Sequence, residues 1–378
     1  MPGASMIYFR RMTSALNTTL VSITNLPLSE LSNSLGLLGE PKFRAKQITK
    51  WLYQKRVNSF GQMKNISKES VRLFNECYSI KKLKTLYHVQ SKRKDAEKFG
   101  FETFAGDGVI ESVLLYDGQR RTACISSQLG CALGCVFCET GAMGFVRNLR
   151  QDEIIGQLIG INDHCASNGH KLVTNIVFMG MGEALSNFDA FMSSLHIIMA
   201  EEAFNIGARR ITVSTAGVVP SIERLMEHNL TIGLAISLNA WRDEDREKIM
   251  PVNKKYPIAS LIETAKRYSK KTNRPVTFEY VLIEGENDSP AAAGALASLL
   301  KGLNCKVNVI PVNPSSGKKT TSPSERALKD FADALFNHGI AATIRKSRGQ
   351  DISGACGQLG GLRGNGKTPS IIAAGSRE

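Results

Sequence analysis

CALGCVFC, residues 131–138, places three of the chain's eight cysteines within eight positions. A thiolate is a soft ligand suited to zinc or to iron–sulfur. Cys131-x3-Cys135-x2-Cys138 wraps three sulfurs around one small object, and Gly134 lets the loop turn. An iron–sulfur cubane takes four thiolates. Three leave one iron with an open position, where a chelating substrate binds the metal directly. Two other readings stand beside this one. Cys124 as a fourth ligand makes a zinc site spaced C-x6-C-x3-C-x2-C, which lacks the two separated short knuckles usual for zinc. Alternatively, the thiols are small buried apolar groups. Cys356 stands apart in GACGQ, between Arg345, Lys346, Arg348 and Arg363. Nearby cations favour a thiolate, so this thiol is expected to be nucleophilic. Cys77, Cys165 and Cys305 lie in apolar contexts and read as packing residues. The six histidines are scattered without a ligand pair, and Trp51 reads as a core residue.

These groups sit in a chain of 378 residues, 42% hydrophobic and 22% charged, as in folded proteins with a sizeable core. No run of 18 apolar residues occurs, which argues against a membrane span. Half the cysteines crowd into residues 124–138, a distribution unlike a disulfide framework. A reducing, cytosolic compartment is expected. The formal charge is +14, and residues 41–100 supply most of it, with 16 Lys/Arg against 4 Asp/Glu. A polyanion, RNA or DNA, is the natural partner, the alternative being a merely solvated basic face. Residues 1–24 read as a disordered leader. The acid-free, Ser/Thr-rich start of the chain leaves an organelle presequence open.

Residues 26–90 read as helical, with helical apolar spacing in FRAKQITKWLYQK (43–55). FGFETFAG (99–106) and GVIESVLLYDG (108–118) read as two strands joined at Gly106-Asp107-Gly108. From 121 onward, strand and helix alternate. The strands are RTACISSQ (121–128), LVTNIVFMG (172–180), RITVSTAG (210–217), LTIGLAISL (230–238), VTFEYVLIEG (276–285) and KVNVIPVN (306–313). A last short strand, AATIRK (341–346), precedes a glycine-rich tail. Six β-then-α units mean a parallel sheet with helices outside, closed partly as a barrel or open as a doubly wound sheet. Ligands of such folds sit at the C-terminal strand ends. Here those ends carry the cysteine cluster, GMGE (180–183), Ser214-Thr215, Ser237-Leu238-Asn239 and Asn313.

C-x3-C-x-aromatic-C after the first strand, with GMGE after the second, resembles the radical S-adenosylmethionine (SAM) enzymes. CISSQLGCALGCVFC (124–138), FMGMGE (178–183), MPVNKKYP (250–257) and RKSRGQDISGACGQL (345–359) together resemble the adenine-C2 RNA methyltransferases of the RlmN/Cfr family, over about residues 25–360. The resemblance implies an α/β fold with a partial (β/α)6 TIM-like barrel over 121–348. Around it come a basic helical RNA-binding region over 25–92, a β-hairpin extension over 93–120 and a tail over 349–378. It implies a [4Fe–4S] cluster on Cys131, Cys135 and Cys138, and S-adenosyl-L-methionine, two molecules per turnover. Gly182, Glu183, Ser214, Ser237, Leu238, Asn239 and Asn313 would contact that cofactor. Cys356 would accept a methyl group, a deoxyadenosyl radical would activate it, and Cys124 would free the RNA by forming a disulfide. Glu111 would accept a proton, although the sequence alone makes it an exposed strand carboxylate. The implied substrate is adenosine carbon 2 in large-subunit ribosomal RNA at the peptidyl-transferase region and in transfer RNA.

Asn239 stands where the family commonly has histidine, Glu139 where a small residue is usual, and Ala184 where the C2 branch often has proline. Ala184 occurs in the C8-methylating branch, so a C8 methyltransferase is the alternative, although the 345–359 tail is of the C2 type. An alternative of another class is a zinc-stabilised, non-catalytic RNA-binding protein. The remaining expectations are a low-potential electron donor such as flavodoxin or ferredoxin, no membrane association and a monomeric state.

Overall fold

The computed structural model describes residues 20–313 and 320–360. Most of the expected leader (1–24) lies outside that range, as do Arg363 and the tail beyond 360. Residues Val21–Ser22, at the leader's end, form a short strand parallel to Tyr78–Ser79.

The chain divides into two compact units. One comprises residues up to 84 together with 149–172 and 189–207. Its helices are Leu28–Leu37, Phe43–Thr49, Lys68–Cys77, Gln151–Ser167 and most of Phe188–Met199. Leu31, Leu35, Ile48, Leu52, Phe60 and Phe74 form its apolar face, all nearly inaccessible. Ser67 caps the third helix by accepting the Ser70 N–H at 3.1 Å. The helix Phe43–Thr49 runs directly into a π-turn, Lys50–Gln54, closed by Lys55 N–H on the Lys50 carbonyl at 3.1 Å. Asp163 holds both Arg56 and Lys82, at 3.1 and 2.7 Å.

The other unit is built on a ten-stranded sheet. In chain order its strands are β1 (Lys84–Gln90), β2 (Ala96–Glu102), β3 (Val109–Asp117), β4 (Arg120–Cys124) and β5 (Asn175–Phe178), then β6 (Ile211–Thr215), β7 (Gly233–Ser237), β8 (Val276–Leu282), β9 (Cys305–Pro311) and β10 (Ala341–Ile344). Their spatial order equals their chain order, β1 to β10, so both ends remain edges and the barrel is partial. β2, β3 and β4 pair antiparallel. β4 is the switch, because it pairs parallel with β5, and every later neighbour through β10 is parallel. Parallel neighbours require long crossovers. The helices Val219–Glu227, Ile258–Thr272, Pro290–Leu300 and Glu325–Asn337 supply four of them within this unit. Ser289 and Ser324 cap the last two, and Asn273 ends the second in the left-handed region at φ 51°.

β8 shows why VTFEYVL becomes a strand here. Val276, Phe278, Tyr280 and Leu282 are buried, while Thr277, Glu279 and Val281 alternate with them half-buried. Register then aligns Ser237, Glu279, Asn308 and Thr343 across β7 to β10 as one polar row. Two strands differ from expectation. β1 falls inside the stretch read as helical, where KTLYHVQ is an exposed-to-half-buried edge strand. The first barrel strand stops at Cys124, and Gln128–Gly130 instead pairs antiparallel with Phe145–Asn148.

Candidate active site

The small Gln128–Gly130/Phe145–Asn148 hairpin closes both ends of the cysteine loop. Cys131 N–H donates to the Gly144 carbonyl at 2.9 Å, and a Cβ on Gly130 would lie 1.9 Å from that oxygen. Within the loop, Gly134 adopts φ +62° and Cys138 N–H donates to the Cys135 carbonyl at 3.1 Å. All three thiols are half-buried. Burial pushes Cys135 up to about 12, with Cys138, Cys131 and Glu183 adding to it and Arg246 opposing. Burial likewise raises Cys131 to about 11. Burial thus disfavours the thiolate at Cys131 and Cys135, which a bound metal would offset.

Among the described residues, no three of the Cys124, Cys131, Cys135 and Cys138 sulfurs converge within 4.8 Å of one another. A tetrahedral zinc ion would set them about 3.8 Å apart. Three soft donors on one loop are, by their chemistry, a donor set that suits an iron–sulfur cluster.

GMGE follows β5 on the same strand edge. Gly182 has φ +90°, and a Cβ there would sit 2.4 Å from Cβ of Gln128, so only glycine fits. Glu183 is 4% exposed. Its carboxylate accepts the N–H groups of Ala216 at 2.8 Å and Leu185 at 3.3 Å. Burial nevertheless raises its pKa to about 7, against those N–H groups and the Thr215 hydroxyl. It is a buried carboxylate poised for a cationic partner.

Ser214 and Ser237 are half-buried near the ends of β6 and β7, and Leu238 is fully buried. Asn239 is buried at φ 61° and uses both ends of its amide internally. Its oxygen accepts Val281 N–H at 2.9 Å, and its nitrogen donates to the Met250 sulfur at 3.1 Å. It thus shapes the strand end. Asn313 reaches the tail, donating to the Cys356 carbonyl at 2.9 Å and accepting from Gln350 at 2.6 Å.

The tail lies directly on the cysteine loop. Glu139 N–H donates to the Gly357 carbonyl and the Thr140 hydroxyl to the Leu359 carbonyl, each at 2.7 Å. Cys356 is exposed, and it lies within electrostatic reach of both Cys138 and Cys124. Its thiol is pushed up, chiefly by desolvation and then by Glu279, with Arg345 opposing. Desolvation and Glu279 thus oppose the cation effect expected from the sequence, to which Arg345 contributes. Cys124, at the end of β4, is buried and its thiol is also raised, first by burial and then by Cys356. Among the described residues no disulfide joins any two cysteines.

Glu111 is not exposed. It is 2% accessible on β3, ion-paired with Lys98 at 3.1 Å, hydrogen-bonded by the Tyr87 hydroxyl, and accepts Gly360 N–H at 2.7 Å. Lys98 in turn donates to the Ser353 carbonyl at 3.3 Å. This pair therefore anchors both feet of the Cys356 segment.

Sequence reading missed Arg246. Its guanidinium is fully buried and donates to the carbonyls of Leu238 (2.9 Å), Ala216 (2.6 Å) and Ser237 (3.0 Å) and to the Asn253 side chain (2.9 Å). Burial lowers its pKa to about 10. The only signal was its place seven residues before Asn253 of MPVNKKYP. Glu279 and Asn308, bonded at 2.9 Å, were missed as well.

Residues 125–293 match the Radical SAM superfamily, and residues 21–80 match the ribosomal RNA large subunit methyltransferase N-terminal domain. A probable dual-specificity RNA methyltransferase RlmN 2 of Protochlamydia amoebophila is 42% identical over 330 residues, 87% of this chain and 92% of that protein. A dual-specificity RNA methyltransferase RlmN of Marinobacter nauticus is 41% identical over 352 residues, 90% and 93% of the two chains. Among solved structures, a radical SAM methyltransferase from Sphaerobacter thermophilus superposes with a TM-score of 0.85 at 42% identity, covering 89% of this chain and 98% of that one.

Proposed function

The chain belongs to the RlmN family of radical SAM RNA methyltransferases, and from that premise we propose that it methylates adenosine carbon 2 in ribosomal and transfer RNA through a methylated Cys356. The observation that carries this reading is the docking of the Cys356 segment on the cysteine loop, held by the Gly357 and Leu359 carbonyls, with the Cys356 thiol in the electrostatic field of Cys124 and Cys138. On this reading residues 25–92 serve RNA binding, 93–120 are the hairpin extension, 121–348 are the barrel and 349–378 the tail.

Cys131, Cys135 and Cys138 would hold a [4Fe–4S] cluster, which when bound supplies one low-potential electron and an open iron position for S-adenosyl-L-methionine. Glu183, beside Gly182, faces the amino end of that cofactor with a carboxylate kept out of water. Ser214 and Ser237 would line its strand-end side with Leu238 buried behind them, while Asn239 and Arg246 hold those strand ends in place. Asn313 holds the Cys356 carbonyl, which fixes the direction of its thiol.

Cys356, once deprotonated, would be the acceptor of a methyl group that one S-adenosylmethionine supplies, with S-adenosylhomocysteine as the leaving group. Glu279, a carboxylate whose proton affinity burial raises, acts electrostatically on that thiol. The detour through sulfur follows from the substrate. Carbon 2 of adenine lies between two ring nitrogens, is electron-poor and does not attack a sulfonium methyl. A carbon radical on the S-methyl group, formed when the cofactor-derived deoxyadenosyl radical takes one of its hydrogen atoms, would add to it instead, and the adduct joining RNA to Cys356 would return one electron as well as lose the carbon-2 proton. Glu111 accepts the proton lost from carbon 2. Cys124, as its thiolate, would attack the linking sulfur and break its bond to the methylene carbon, which takes up a proton to become the methyl group, leaving a Cys124–Cys356 disulfide. An outside reductant, a flavodoxin or ferredoxin, restores the thiols and supplies electrons in a reducing cytoplasm.

The test is substitution in protein loaded anaerobically with iron, sulfide and cofactor. Cys356→Ala abolishes methylation, whereas Cys124→Ala traps the protein covalently on RNA. A Cys124→Ala protein that turns over and leaves free RNA contradicts the scheme.

A further inference from the structure

The N-terminal unit carries a recess of about 190 Å³ lined by Gln47, Lys50, Trp51, Lys55 and Asn65. Trp51 is half-exposed here, so it is not the core residue that its spacing suggested. Its indole N–H donates to Asn65 Oδ1 at 2.5 Å, which satisfies the polar edge and fixes the ring. The π-turn Lys50–Gln54 sets the positions of Lys50, Trp51 and Lys55. Phe43, 55% exposed, lies eight residues before Trp51 with Gln47 midway, which is one helical face.

The charge around this recess is one-sided. Residues 41–68 contain eight Lys/Arg (Lys42, Arg44, Lys46, Lys50, Lys55, Arg56, Lys64 and Lys68) and no Asp or Glu. Arg44, Lys46 and Arg56 are neutralised by Glu40, Glu202 and Asp163. Lys50, Lys55 and Lys64 are exposed and make no ion pair with the described residues. A fixed aromatic ring between unpaired lysines is the arrangement that holds one unstacked base while its flanking phosphates are neutralised. The recess accepts a single base and excludes a duplex, whose bases are already stacked.

We infer that Trp51, flanked by Lys50 and Lys55, is a stacking site for one unpaired RNA base, separate from the reacting adenosine. This rests on the reading of the chain as an RNA-modifying enzyme and assigns its N-terminal unit a preference for single-stranded loops over duplex.

The experiment uses the full chain with Trp241→Phe, which leaves Trp51 as the sole tryptophan. The probes are an RNA hairpin with a seven-nucleotide loop and a fully paired duplex of the same composition. Loop RNA quenches Trp51 emission saturably, and duplex does not. In the parent chain, Trp51→Leu weakens loop binding about tenfold and leaves duplex binding unchanged, while Trp51→Phe stays within about threefold of the parent. Lys50→Gln and Lys55→Gln each lower the salt slope of binding by about one. Loop RNA that binds without quenching, or equal loop affinity in Trp51→Leu and parent, overturns the inference. Nucleoside mass spectrometry of the same loaded protein separates the two claims. Methylated adenosine from a protein whose Trp51 never responds removes the stacking site alone. A saturable quench without methylated adenosine keeps the stacking site and removes the assigned activity.

Discussion

Replacing Glu111 with glutamine preserves the shape of the β3 site and removes one charge. Glu111 and Lys98 are each about 2–3% accessible and lie 3.1 Å apart. Removing one partner of such a pair costs about 3–5 kcal/mol, because the other charge stays buried. Lys98 keeps the Ser353 carbonyl at 3.3 Å and the Tyr87 ring at 6.0 Å, which puts Glu111→Gln at the lower end, about 3 kcal/mol. Lys98→Met leaves Glu111 with the Tyr87 hydroxyl and Gly360 N–H, so its cost is smaller, about 2 kcal/mol. The double variant then costs about 2 kcal/mol less than the sum of the singles. The assay is urea unfolding followed by Trp241 emission in a Trp51→Phe background, which reports the sheet unit alone. Because the pair holds Ser353 and Gly360, proteases should also nick residues 349–360 faster in either single variant. Single-variant costs that add within about 0.5 kcal/mol, with unchanged nicking, refute the reasoning.

Three further outcomes are expected. Glu183 is raised to about 7 in the fold, so the folded state binds its proton more tightly than the unfolded chain does. Its stabilising contribution is full below the ordinary carboxylate pKa and is lost as pH rises through about 7. The cofactor-free protein should therefore lose up to about 3 kcal/mol between pH 4.5 and 8, a slope absent in Glu183→Gln and readable by denaturant titration at each pH. Arg246→Lys should destabilise almost as much as Arg246→Met, by about 3 kcal/mol, because an ammonium cannot reach three carbonyls and Asn253 at once; rescue by lysine in a thermal melt contradicts this. Alkylation of Cys356 by iodoacetamide, followed by peptide mass, should still accelerate above pH 9, since the thiol is raised; a plateau near neutral pH contradicts it.

Much of the barrel was legible because its signals are local. Each parallel strand is a short apolar run followed by an amphipathic helix, and the sheet's spatial order simply repeats the chain order. The cysteine spacing and the glycines of GMGE were legible for the same reason. What stayed hidden depends on neighbours distant in sequence. Arg246 sits in DEDREKI, which reads as a solvated helix, yet three carbonyls from β6 and β7 ends bury it. Glu111 looks like an outward carboxylate until Lys98 on β2 and Gly360 in the tail meet it. The influence of Glu279 on the Cys356 thiol also carries no sequence mark, because the two lie 77 residues apart in the chain. Trp51 shares a helical face with Phe43 and Gln47, and only the burial of Ala45, Ile48 and Leu52 on the other face shows which of the two meets the core.

The central claim is that Cys356, Cys124 and the three-cysteine loop together place a methyl group on adenine carbon 2. Its most direct measurement is nucleoside mass spectrometry of ribosomal RNA and transfer RNA after incubation with anaerobically loaded protein, S-adenosyl-L-methionine and a low-potential reductant. The account predicts 2-methyladenosine in the RNA, and none when Cys356→Ala replaces the parent. Unmodified adenosine from fully loaded protein, or 8-methyladenosine in its place, contradicts it.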